Sequence, residues 1–147
     1  MKVVLQRVEE ASVSFDKTIN KIDSGPLILL GITNGDTKKD IDYLINKIIN
    51  LRIFEDNNNK MNYSVQDIKG SLLLVSQFTL YANTKKGNRP SFVNSMSYDE
   101  AKNLYDLFIE ELKNTGIPFK TGEFGADMKV SLINDGPVTI IMDTKEE

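Results

Sequence analysis

The run Leu27-Ile28-Leu29-Leu30-Gly31-Ile32 sets the tightest limit on what this chain can fold into. It has the length of a strand, is apolar throughout and is entered through the turn signal Ser24-Gly25-Pro26, so it reads as a fully buried strand. Shorter strand patterns precede it at residues 3–8, 11–15 and 19–22, with a turn at Asp16-Lys17, which together make a β meander around that buried member. The 147 residues suffice for one domain that buries its own core without disulfide or metal support.

Two helical patterns interrupt the strands. Thr37-Lys38-Lys39-Asp40 forms a capping box before Ile41, Leu44, Ile45, Ile48 and Ile49 at helical spacing, which predicts a helix running to about Leu51. Ser97-Tyr98-Asp99-Glu100 opens a second helix with the stripe Ala101, Leu104, Tyr105, Phe108 and Leu112, closed by Gly116 and Pro118. A short strand at 52–54, an Asn- and Asp-rich loop at 55–62, a long strand at 71–82 and two further strands at 129–133 and 138–142 complete the pattern. The fold class expected is α+β: an antiparallel, barrel-like sheet with two main helices in a single domain spanning residues 1–147.

Hydrophobic residues make up 40% and charged residues 27%, and no apolar run approaches the roughly 20 residues of a membrane helix. No membrane partner is expected. The first residues alternate apolar and polar and carry charge early, unlike a signal peptide, which places the protein in the cytoplasm. The chain has no cysteine and no histidine, so thiolate nucleophiles, Ser-His-Asp and Cys-His constellations and ordinary zinc sites are all excluded. Catalysis is left to carboxylates, Lys, Tyr, hydroxyls, backbone N–H groups, an oxygen-ligated metal or groups that the substrate brings. A net charge of −3 argues against a generic nucleic-acid coat, although Lys85, Lys86 and Arg89 form a local basic cluster that is either a solvated loop or a phosphate contact.

Candidate site residues come from two polar interruptions of apolar strands. Hydroxyl and amide groups placed where core residues would fit cost about 1 to 3 kcal/mol if left unpaired, so such positions present them to something. Along residues 71–82 strand alternation puts Gln77 and Thr79 on one face with Leu73, Val75 and Tyr81, and Ser76 and Phe78 on the other. Gln77 and Thr79 then either line a pocket floor, or Thr79 is an ordinary β former whose hydroxyl bonds across the sheet and Gln77 a solvent-facing amide. Gly136-Pro137 is either an ordinary hairpin turn between the last two strands or a rigid bend, with a cis bond open to it. Arg7 shares a strand face with Val3 and Leu5, which makes it a half-buried guanidinium in need of fixed acceptors, or a sheet-edge residue.

The same residues carry a resemblance. Val4-Leu5-Gln6-Arg7-Val8, Leu51-Arg52-Ile53-Phe54-Glu55-Asp56, Lys60-Met61-Asn62, Ser76-Gln77-Phe78-Thr79-Leu80-Tyr81-Ala82, Arg89-Pro90-Ser91-Phe92, residues 121–128 and residues 134–139 follow one another as in the D-aminoacyl-tRNA (D-tyrosyl-tRNA) deacylases, which this chain resembles nearly end to end. The resemblance implies a homodimer that hydrolyses the ester of D-aminoacyl-tRNA, and of mischarged glycyl-tRNA, as chiral proofreading, by a route with no metal and no cofactor. It implies that Ser76, Gln77, Phe78 and Thr79 surround the ester, with the Phe78 N–H as oxyanion donor. It further implies that a cis Gly136-Pro137 reaches into the other subunit's site to hold the α-amino group, that Arg7 orients that loop, and that Phe124, Ala126 and Met128 receive the terminal adenine, unless these three are core residues. Lys85, Lys86 and Arg89 become tRNA contacts. Thr79 matches a residue proposed as nucleophile, but with no histidine to activate it the 2′-hydroxyl of the terminal adenosine is the better aid to an attacking water. The competing expectations are an esterase acting on another acyl-nucleotide and a non-catalytic homodimeric RNA-binding module.

Overall fold

The computed structural model describes residues 1–146; Glu147, the last residue of the expected domain, lies outside them. Strand β1 (Lys2–Phe15) is the spine of the sheet. The segments expected as two strands at 3–8 and 11–15 are one, because Val3, Leu5, Val8, Ala11 and Val13 keep an inward side buried along its whole length. Its second half pairs antiparallel with β2 (Thr18–Ile22), and its first half pairs antiparallel with β3 (Gly25–Gly31). The barrel-like sheet is mostly antiparallel, as expected, but not throughout: β3 pairs in parallel with β6 (Leu72–Ser76), and β6 in parallel with β7 (Phe119–Thr121). The reason is connectivity, since a helix-bearing crossover precedes each of the two strands and returns the chain in the same direction. Asn20 Nδ2 donates to the Thr121 carbonyl at 2.6 Å and draws β2 toward β7, so the sheet nearly closes on itself.

Between β3 and β6 lie α1 (Lys38–Asn50) and the short hairpin β4 (Phe54–Glu55) with β5 (Met61–Tyr63); α2 (Tyr98–Asn114) leads to β7. The Thr37 N–H donates to Asp40 Oδ2 at 2.8 Å, which closes the first capping box, whereas the second closes between side chains, Ser97 Oγ to Glu100 Oε2 at 2.6 Å. Ile41, Leu44, Ile45 and Ile48 of α1 and Ala101, Tyr105, Phe108 and Leu112 of α2 bury against Leu5, Ile28, Leu30, Leu72 and Leu74, as the helical stripes require.

Two local expectations are corrected. The strand expected at 71–82 stops at Ser76, and Phe78–Tyr81 winds into a 3-10 helix after Gln77, whose N–H still donates to the Leu30 carbonyl at 2.7 Å. Gly31 allows this turn to fold back onto β3, since a Cβ there would stand 3.0 Å from Leu80 Cβ and 3.2 Å from the Gln77 carbonyl oxygen. Likewise, Asn134 to Pro137 is not a hairpin turn. Residues 129–143 form one strand, β8 (Lys129–Asp143), both halves of which pair with the same edge of β1, and the register jumps from Gln6↔Thr139 to Val8↔Asn134. The extra residues arch outward in a bulge opposite Arg7.

Candidate active site

Parallel strands leave a crevice beyond their carboxyl ends, where ligands commonly bind in open α/β sheets. Here β3 and β6 end side by side at Leu30 and Ser76, and a cavity of about 490 Å³ opens above them. Ser76, Gln77 and Phe78 form one side, Ser95 and Met96 a second, and Tyr98 from the start of α2 with Phe124, Ala126 and Met128 the far wall. Two groups of residues separated in the sequence, the strand-end polar set and the apolar set expected to take adenine, thus share one chamber. Phe124 also stacks on Tyr105 of the core at 5.2 Å, so it belongs to both the slot and the core.

The polar corner is made of main chain. Phe78 and Thr79 open the 3-10 helix, where no intrahelical carbonyl can receive their N–H groups. Thr79 does not line the cavity; its Oγ1 accepts from Gln77 Nε2 at 2.5 Å, a bond that takes no proton from the hydroxyl. Among the described residues Tyr98 is the only ionisable side chain on the cavity wall. Burial pushes the nearby Tyr105 hydroxyl up to about 12, and burial, reinforced by Asp143, Asp36 and Asp40, drives the Tyr81 hydroxyl far above its ordinary range. Neither tyrosine exchanges a proton near neutrality.

The remaining expected residues lie elsewhere on the chain. Arg7 is buried at 4% exposure in the sheet; its Nε donates to the Asp135 carbonyl at 2.9 Å and its Nη1 to the Ile53 carbonyl at 2.7 Å, with Asp135 and Glu55 carboxylates at 3.5 and 3.8 Å. It borders a smaller cavity of about 320 Å³ with Glu55 and Asp135. Gly136-Pro137 is a cis peptide, exposed on the bulge, with Asn134 Oδ1 receiving the Val138 N–H at 2.8 Å across its base. Neither Gly136 nor Pro137 lines the cavity above β3 and β6 of its own chain. Lys85, Lys86 and Arg89 are exposed on a loop clasped by the Asn83↔Ser91 bridge, outside the cavity.

Sequence reasoning missed Tyr98, Ser95 and Phe92. Tyr98 reads only as the first residue of a helix, yet its ring meets Phe124 edge-on at 5.2 Å, and Gly125 makes room for it, since a Cβ there would stand 2.6 Å from Tyr98 Cε2. The glycine, at φ +78°, was the available signal.

An apolar slot that ends at the main chain of Phe78, the first residue of a 3-10 helix, suits a flat apolar group joined to a polar acyl centre, the outline of an enzyme acting on acylated nucleotides. The family model described as D-Tyr-tRNA(Tyr) deacylase matches residues 4–143, and the chain belongs to that family. A D-aminoacyl-tRNA deacylase of Finegoldia magna is 59% identical over 148 residues, covering 100% of both chains, and one of Fusobacterium nucleatum subsp. nucleatum is 58% identical over 147 residues, covering 99% of this chain and 97% of that relative. Among solved structures, one titled c-Myc DNA unwinding element binding protein superposes with a TM-score of 0.91 at 42% identity, covering 98% of this chain and 99% of the other. A probable eukaryotic D-amino acid tRNA deacylase shares the fold at TM-score 0.81 and 15% identity, covering 96% and 97%. No helix among the described residues is long and apolar enough to cross a membrane.

Proposed function

We propose that this chain hydrolyses the ester joining a D-amino acid to the terminal adenosine of tRNA, releasing the free amino acid and tRNA. The observation that carries the reading is the union of Phe124, Ala126 and Met128 with Ser76, Gln77 and Phe78 in one cavity of a chain from this family. Adenine lies in the apolar slot, and the Phe78 N–H donates to the ester carbonyl oxygen, on which negative charge develops as water adds to the carbonyl carbon. One such donor is worth roughly 100- to 1000-fold. The 2′-hydroxyl of the substrate orients the water, takes the proton that the water loses as its oxygen bonds to the carbonyl carbon, and gives its own proton to the 3′-oxygen as the ester C–O bond breaks. A well-placed neighbouring group of this kind contributes about 7 kcal/mol or more, so no protein base is needed.

Chirality is assigned to main chain at a subunit boundary. β8 is an edge strand of 15 residues that, among the described residues, pairs only with β1, and it exposes Val130, Ile133 and Ile141; a bare edge of that length with exposed apolar residues calls for a second copy. In the homodimer the carbonyls of Gly136 and Pro137 from one subunit hold the α-amino group in the other's cavity and leave no room for an L side chain. Glycine has no side chain to exclude, so mischarged glycyl-tRNA is also a substrate, and the activity serves proofreading in translation. Arg7 fixes the direction of the loop through the Asp135 carbonyl. Lys85, Lys86 and Arg89 contact tRNA phosphate.

Incubation with D-tyrosyl-tRNA and L-tyrosyl-tRNA tests the reading. D-selective release of tyrosine is the expected result. Equal release from both overturns the chiral assignment, and binding without turnover would make the chain a nucleic-acid-binding module.

A further inference from the structure

The 3-10 helix that begins at Phe78 is held by the turn of residues 92–95, which starts at the last residue of Arg89-Pro90-Ser91-Phe92 and brings Ser95 to the cavity wall. Ser95 Oγ donates to the Phe78 carbonyl at 3.1 Å, and the Phe92 ring meets the Phe78 ring edge-on at 5.0 Å and 67°. Phe92 and Ser95 close on each other, the Ser95 N–H donating to the Phe92 carbonyl at 3.0 Å. The turn is in turn fastened to the end of β3: the Met96 N–H donates to the Ile32 carbonyl at 3.1 Å, and Thr33 Oγ1 donates to the Asn94 carbonyl. Phe78 itself is 58% exposed, so few other contacts restrain it.

A peptide unit is planar, with its C=O and N–H pointing in opposite directions. Whatever fixes the Phe78 carbonyl therefore fixes the Thr79 N–H in the same plane and, through one pair of backbone angles, the Phe78 N–H beside it. Serine makes its bond to that carbonyl with a short side chain whose position is set by the clasped turn.

We propose that Ser95 is a positioning residue for ester hydrolysis: its hydroxyl holds the Phe78–Thr79 peptide plane, and with it the backbone at Phe78, so that the Phe78 N–H at the head of the 3-10 helix faces the developing oxyanion, with Phe92 bracing the Phe78 ring. The proposal rests on the deacylase reading above. It requires that losing the hydroxyl slow the chemical step while leaving substrate capture and folding alone.

The test compares wild type, Ser95→Ala, Ser95→Thr and Phe92→Leu in D-tyrosyl-tRNA hydrolysis, with kcat and KM measured separately and thermal unfolding followed in parallel. Ser95→Ala should lower kcat about 3- to 10-fold, the effect of one neutral hydrogen bond, with KM within about twofold and the unfolding midpoint unmoved. Ser95→Thr should restore most of the rate, and Phe92→Leu should lower kcat by a few-fold through the other contact on Phe78. Wild-type kcat in Ser95→Ala, a Thr variant as slow as the Ala variant, or a loss confined to KM would each overturn the positioning role. An inert wild type would instead overturn the deacylase reading, so the two failures are distinct.

Discussion

Replacing Gly136 by alanine puts a methyl group where the bulge has no space for one. A Cβ there would stand 2.9 Å from Arg7 Nη2 and 2.9 Å from Val138 Cγ2, on a backbone at φ +127°. The guanidinium is the far end of a long side chain, but it cannot swing aside cheaply, because Nε and Nη1 are bonded to the Asp135 and Ile53 carbonyls at 2.9 and 2.7 Å. The backbone angle alone costs an L residue about 1–3 kcal/mol. Breaking one of the charge-assisted bonds of Arg7 to relieve the overlap adds roughly 1.5–3 kcal/mol. The chain relieves part of this by displacing residues 135–138, and if only about 2 kcal/mol appears as misplaced carbonyls in the transition state, the rate falls about 30-fold. Thr79→Ala makes the contrast: it removes one exposed hydroxyl whose partner is the Gln77 amide, so deacylation should stay within about threefold of wild type. The assay is single-turnover hydrolysis of D-tyrosyl-tRNA by both variants, with urea unfolding to separate lost fold from lost geometry. Equal losses in the two variants, an undamaged Gly136→Ala, or an acyl-threonine trapped on Thr79 of the wild type would refute the main-chain account.

Two further outcomes follow from the same geometry. D-tyrosyl-tRNA ending in 2′-deoxyadenosine should react at least about 1000-fold more slowly, since the neighbouring hydroxyl is assigned about 7 kcal/mol; full turnover measured with that substrate would remove the substrate-assisted step. Asp40 should make folding acid-sensitive: burial disfavours its charge, but bonds from the Thr144 hydroxyl, the Thr37 N–H and Lys145 prevail and hold it at about 2, below its ordinary 3.8. A carboxyl lowered on folding stabilises above its unfolded value and loses that contribution as pH falls through the folded one. Asp40→Asn should therefore be less stable than wild type at neutral pH by on the order of 1 kcal/mol, with the gap closing between about pH 4 and 2 in urea titrations; a gap independent of pH would refute the assignment.

The helices were legible because their signals are local. Ile41, Leu44, Ile45 and Ile48 repeat at the helical period behind a capping box, and α1 runs over Lys38–Asn50, within a residue of the expected end. The site was legible as composition but not as shape. Alternation continues in the letters through Tyr81, yet the strand ends at Ser76, because the bare surface of Gly31 on the neighbouring strand admits the returning turn; that contact is long-range and leaves no mark within residues 71–82. Gly136-Pro137 looks like a hairpin for a similar reason. Two apolar runs around a Gly-Pro pair suggest two strands facing each other, and only the pairing of both with one edge of β1 reveals a bulge. Arg7 shows the converse: its place on an inward face required acceptors, and the carbonyl that Nε found belongs to the residue before Gly136.

The absence of histidine and cysteine, the most exclusionary fact in the sequence, explains why these backbone details matter. An enzyme with a titrating base can tolerate some looseness in its main chain, because the base supplies driving force over a range of positions. A chain that relies on amide dipoles and on a hydroxyl of its substrate has only geometry to work with, and the stabilisation it gives falls steeply with angle and distance. The parts of this fold that present main-chain groups are accordingly the ones clamped by side chains from remote segments: Arg7 on the bulge that carries Gly136, and Ser95 and Phe92 around the turn that begins at Phe78. Mutations in those clamps should consequently impair turnover out of proportion to their effect on stability, whereas mutations in the α1 and α2 stripes should do the reverse.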